Sequence, residues 1–429
     1  MRKKYISLFI AIIILSTCYA QTNHIYSSMI HTLQTIVNDD WMQPAVITLN
    51  TDDYVTISFD HFTHDYHRFS CHLIHCNSDW KPSELLEVEY MDGFNDRPIE
   101  SYENSLNTTF LYTHYSVEYP NDELQLKASG NYIVYIYDEE ADNDPDIPSF
   151  KDHPIVAVAC FRVVEPKVDV MAEVSSNTDI DTHAIHQQVS FSISHSNYTI
   201  SRPNEELQVI VCQNNRPDMM VTDITPTYVN PGKIDYVNNR ALIFPGNNEY
   251  RRFEIINMHY GSQNVNDISF FNPYYHAELI PDTKRSAYSF DADHNGRYFI
   301  RYNRAENSDI EADYLFVHFS LEAPYPFNDG TFYLAGKFSE YEYTPEYQMK
   351  YNPSTSLYEC STLLKLGSYD YQFVCMPHGE EDKIPMPITP VDGCFFETEN
   401  EYTIYVYHRP FGDRYEHLIA VKTIDFAQQ

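Results

Sequence analysis

The sequence predicts an all-β protein made of tandem immunoglobulin-like β-sandwich domains behind a cleaved signal peptide. Three observations carry that reading. Aromatic residues that suit pleated, half-buried surfaces abound, with 37 Tyr and 25 Phe, while Gly is scarce at 12 in 429 residues. Segments of strand length that alternate or run apolar recur along the chain with turn residues between them. Outside the leader, the one clear helical candidate is "YSSMIHTLQTIV" after Ile25, which also reads as an extended lead-in.

The elements follow in order. Arg2, Lys3 and Lys4 form a basic n-region, and Ile6 to Leu15 is an apolar run too short for a stable bilayer anchor, so residues 1–20 read as a secretory leader. The ending Cys18-Tyr19-Ala20 suits cleavage before Gln21; a lipid anchor at Cys18 is the weaker alternative, because Thr17 fits a lipoprotein box poorly. No later segment approaches 18 apolar residues. Strands are expected at 54–60, 132–137, 188–194, 207–213, 314–321, 331–338, 369–375 and 402–408. "VVEPKVDV" and "SLEAPYPFNDGTFYL" read as exit strand, proline and new strand, which places domains at 21–165, 166–322 and 323–429. "YDEEADNDPDIPS" (137–149) and "HGEEDK" (378–383) read as solvated acidic loops.

Charge narrows the function. The formal net charge is −34, or about −37 once the leader's three cations are gone, which repels nucleic acid and anionic lipid alike. Seven cysteines remain beyond the leader, an odd number without a C-x-x-C pair, and are expected as small buried hydrophobes.

Two stretches invite a metal. "HFTHDYHRFSCHLIHC" holds five His and two Cys, but strand alternation puts Cys71 and His75 on one face and His72 and Cys76 on the other, which scatters the donors. "DADHNG" begins like a calcium loop at Asp291, Asp293 and Asn295, yet the twelfth position is Tyr302 instead of a bidentate Glu; Asn295-Gly296 reads as a type I′ hairpin turn. Metalloprotease, serine-hydrolase, phosphate-loop and dinucleotide motifs are all missing, so neither cofactor nor catalytic residue is assigned.

Residues 74–138 resemble the first domain of the type IX secretion system plug proteins of Bacteroidota. The likeness rests on His75-Cys76-Asn77-x-Asp79-Trp80 with Ser83, then Gly93-Phe94-Asn95, Ser105-x-Asn107-Thr108-Thr109, Tyr112-Thr113-His114-Tyr115, Pro120-Asn121 and Ser129-Gly130-Asn131-Tyr132. Later segments, "FFNPYYHAEL" and "EADYLFVHFSL", look like the family's middle region, and 331–374 is similar to early-set, immunoglobulin-like modules, some of which bind glycans through aromatic platforms; Tyr341 and Tyr343 are the candidates here.

The resemblance implies a non-enzymatic periplasmic protein, peripheral to the outer membrane, that caps the periplasmic mouth of a giant outer-membrane β-barrel translocon. An exported glycan-binding sandwich is the alternative, and a carbohydrate-active enzyme a remoter one. The motif residues His75, Cys76, Asn77, Asp79, Trp80, Asn107, Thr108, Tyr112, His114 and Tyr115 are candidates either for internal packing or for the surface that meets the barrel. Trp80 is expected in a core, with Asn77 and Asp79 bonded to the local turn.

Overall fold

A computed structural model describes residues 22–142, 144–379 and 385–426. The leader, its cleavage site and Cys18 lie outside these, as do residues 380–383 of the second acidic loop.

Three β-sandwiches make up the described residues. In the first, a sheet ordered His24–Ile25, His153–Val164, Gly130–Asp138, Phe69–Cys76, Arg97–Pro98 faces a sheet ordered Ile30–Val37, Val55–His61, Thr113–Tyr119, Ser101–Asn104. Alternation sends Val55, Ile57 and Phe59 from one sheet and Tyr132, Val134 and Ile136 from the other into a shared core. Full burial of one such side chain contributes about 1.5–3 kcal/mol.

The second sandwich pairs Asp169–Ser175, His186–Ser194, Lys233–Tyr236 and Tyr228–Asn230 in one sheet, and Met220–Val221, Leu207–Gln213, Glu401–His408 and His417–Asp425 in the other. The third is formed by Arg251–Ile255, Gly367–Pro377, Tyr298–Ile300 and Gly330–Ala335 against Val265–Phe271, Tyr274–Leu279, Tyr314–Glu322, Leu357–Lys365 and Lys350–Asn352.

This grouping crosses the boundary expected at 322/323. The prolines of "SLEAPYPFNDGTFYL" mark a crossing between the two sheets of the third sandwich, because Phe319 and Leu321 before them share a core with Phe332 and Leu334 after them. The last two strands belong instead to the second sandwich: Leu207↔His408 to Gln213↔Tyr402 pair along their full length, and Tyr402, Ile404 and Val406 pack with Val209 and Val211. The third sandwich is thus inserted between strands of the second.

Two local readings also change. The helix candidate after Ile25 is the strand Ile30–Val37, paired with Val55–His61 and bulged between His31 and Gln34, where Thr32 has φ 50°. The bulge shifts the strand's phase, so Ile30, Leu33 and Val37 all reach the core at a spacing that imitates a helix. Asn295 and Gly296 do turn with φ 53° and 83°, but only one strand, Tyr298–Ile300, adjoins the turn. Carboxylates replace the missing partner: Asp293 accepts from the Tyr250 and Asn295 amides, and Asp370 from those of His294 and Gly296. A Cβ on Gly296 would lie 2.2 Å from the Tyr341 hydroxyl, which fixes glycine there.

Candidate functional site

Some of the motif residues, Asn77, Trp80, Tyr112 and His114, lie at two seams where the first sandwich meets the others. At the seam with the third sandwich, strand alternation is decisive. Val55, Ile57 and Phe59 point into their own core, so Asp60 points out; Leu364 points into its core, so Lys365 points out, as does Tyr314 beside Leu315. The three meet: Lys365 Nζ lies 2.5 Å and the Tyr314 hydroxyl 2.6 Å from Asp60 Oδ2, and both charged side chains are only 1% exposed. His114 Nδ1 is 2.7 Å from the other Asp60 oxygen.

Burial by itself would raise the Asp60 pKa; the Lys365 ammonium and the His114 ring overcome it and hold the carboxyl below its ordinary range. Lys365 is lowered, chiefly by its own burial, with Asp60 opposing. It also donates to the Asp309 carbonyl at 2.6 Å and lies 4.3 Å over the Tyr112 ring. Tyr112, fully buried, donates to the Ala312 carbonyl at 2.8 Å.

The neighbouring motif loop completes this seam. Thr109 N and Phe110 N donate to the two oxygens of Asp313 at 2.6 and 3.1 Å. Thr108 Oγ1 lies 2.7 Å from the Phe110 carbonyl, which shapes the loop, and Asn107 is exposed at φ 58°, a conformation Asn tolerates. Tyr115 is different: it sits in the first sandwich's core, 5.4 Å from Phe59 between ring centroids.

The seam with the second sandwich is built of amides and rings. Asn77 Oδ1 accepts from Glu416 N at 3.1 Å, and Glu416 Oε2 accepts from Ser78 N at 2.8 Å. Asn131, fully buried, donates to the Asn77 carbonyl at 2.9 Å and accepts from the Tyr407 hydroxyl at 2.7 Å. Trp80, at φ 61° and 8% exposed, shares the Arg162 guanidinium with Tyr405, at 4.8 and 4.2 Å from the two rings.

Asp79 stays local, accepting from Lys81 N at 3.1 Å, whereas Asn77 reaches across to the other sandwich. His75 donates from Nε2 to the Ser129 carbonyl at 3.0 Å and accepts at Nδ1 from Ser83 Oγ at 2.8 Å; burial brings its pKa down to about 4, so the ring is neutral. Cys76 is fully buried beside Trp80, Ile133 and Cys160, its thiol pushed up by burial to about 12.

The other candidates separate. His64 bonds Ser105 and His72 bonds Asp96, while His61 and His67 meet edge to face at 4.5 Å. Among the described residues no group of three or more His, Cys, Asp or Glu is arranged to hold a metal. The seven described cysteines are buried and unpaired. Tyr341 is 6% exposed and Tyr343 donates to Asp218 of the second sandwich at 2.8 Å, so neither offers the surface platform a glycan would stack on.

Residue-by-residue reading missed Asp60, Lys365, Asp313, Arg162 and Glu416. Lys365 carries one visible signal, a lone cation directly after Leu363-Leu364 at the end of the strand Leu357–Lys365.

Asn77, Trp80, Tyr112 and His114 thus take part in joining the sandwiches of an all-β protein, while the other motif residues pack or bond within the first sandwich or lie exposed. Residues 30–149 match the family model for the type 9 secretion system plug protein 1st domain, and the chain belongs to the type IX secretion plug family, which ties it to that export system. The crystal structure of a hypothetical protein from Parabacteroides merdae ATCC 43184 is similar at 41% identity and TM-score 0.89, covering 95% of this chain and 100% of that one. No curated protein matches the chain.

Proposed function

We propose that the protein caps the periplasmic mouth of the type IX outer-membrane barrel translocon and seals it while no cargo is in transit. A barrel wide enough for folded cargo encloses water and leaks unless something occupies its opening. A body of several sandwiches fastened by buried seams resists deformation and fills space without a cofactor. Its surface is strongly acidic, from 62 Asp and Glu against 28 Lys and Arg, and suits a cationic rim.

The observation that carries this reading is the family match over residues 30–149. Release fits a competition in which another partner, or another barrel conformation, displaces the cap. The test is outer-membrane permeability to a bulky dye in cells with an idle translocon, with and without this gene. Deletion is expected to raise dye entry, and the protein to copurify with one very large barrel. Unchanged permeability, with no barrel recovered, overturns the proposal.

A further inference from the structure

At the meeting point of all three sandwiches lies a cavity of about 160 Å³. The first sandwich supplies Trp41, Trp80 and Arg162, the second Tyr405, and the third Arg297 and Lys337. Its walls invert the character of the molecule. Acidic residues outnumber basic ones 62 to 28 in the chain, yet among the described residues no Asp or Glu lines this cavity while three cations do.

Two of those cations are already neutralised, Arg297 by Glu401 at 2.7 Å and Lys337 by Glu340 at 2.5 Å. Arg162 is not: its side chain donates from Nε to the Tyr407 hydroxyl at 3.2 Å, and no carboxylate among the described residues pairs with it. Trp80 and Tyr405 lie against its guanidinium, which leaves the in-plane N–H edge to meet a partner. A guanidinium edge matches a carboxylate with two parallel hydrogen bonds, and the pairing strengthens away from bulk water. Trp41, stacked on Phe299 at 4.9 Å between ring centroids, adds an aromatic wall, and the volume suits a body about the size of one aromatic ring.

We propose that this junction cavity binds a small organic carboxylate with a flat body, held by Arg162 and walled by all three sandwiches. Such a ligand would tie the three parts together, and the proposal stands whether or not the protein seals a barrel. Trp41 and Trp80 are the only tryptophans, so indole fluorescence reports on the site directly.

The experiment titrates the leader-free chain with benzoate, with its neutral isostere benzamide and with inorganic phosphate, read by tryptophan fluorescence and calorimetry. Saturable binding of benzoate at least tenfold tighter than benzamide is expected, with Arg162→Gln erasing the preference. Equal binding of the two overturns it, because the cavity then reads shape alone, and so does the absence of binding, which leaves a water-filled void. Phosphate displacing benzoate at equal concentration reassigns the site to inorganic oxyanions. Should Arg162→Gln fail to fold, the benzoate–benzamide comparison on the unmodified protein decides the matter.

Discussion

The two seams of the first sandwich solve one problem with opposite chemistry. Against the third sandwich the join is ionic, with Asp60 and Lys365 sealed from solvent at 1% exposure. Against the second it runs mainly through amides, ring faces and Arg162, with the Glu416 carboxylate and an exposed Arg414–Glu89 pair beside them. A buried ion pair returns little net stability, since desolvation consumes most of the attraction, but it punishes the loss of either partner. The second seam relies mainly on neutral amides and ring faces, which are less costly to desolvate. The ionic seam therefore fixes which surfaces may meet, while the second seam depends less on any one charge.

The largest expected effect tests that contrast. Lys365→Met leaves Asp60 buried without its cation and is expected to cost about 3–5 kcal/mol in denaturant unfolding, most of it recovered in the Asp60→Leu/Lys365→Met double variant. A double variant no better than the single would break the comparison. Next, Trp80→Ala opens a void beside Arg162 and is expected to cost about 3 kcal/mol, read as a lower thermal midpoint. Asn131→Ala, which removes one fully buried amide bridge, is expected to cost about 1–3 kcal/mol.

The gentlest test is acid. Asp60's folded pKa lies below its unfolded value, so its contribution is complete above the unfolded carboxyl pKa of about 4 and fades as pH falls through the depressed folded value. The stability gap between the native chain and Asp60→Asn is expected to shrink between pH 6 and pH 3, while the gap to Asn131→Ala stays level. Parallel gaps would show that the ionic seam carries no special acid sensitivity.

The all-β architecture was legible because strand periodicity is local. Leu207–Gln213 coincides with the expected span, and Val55–His61, Tyr314–Glu322 and Glu401–His408 fall within a residue or two of theirs. Strand partners were not legible, since the pairing of Leu207–Gln213 with Glu401–His408 joins segments far apart in the chain and leaves no mark in either. The site divides along the same line. The motif stretches were visible as unusual strings, but their work at seams depends on residues such as Asp313 and Glu416, which look like ordinary surface acids until a distant backbone amide arrives to meet them.

The insertion of one sandwich inside another also sets the order in which the molecule can be finished. As the chain emerges N-terminus first, the first and third units have all their strands while the second still presents Leu207–Gln213 as an open edge. Only when Glu401–His408 and His417–Asp425 dock does that edge close, so a chain lacking its final strands carries a sticky, incomplete middle that chaperones and proteases can recognise. These two strands thus close the middle sandwich only after the inserted third one has been made.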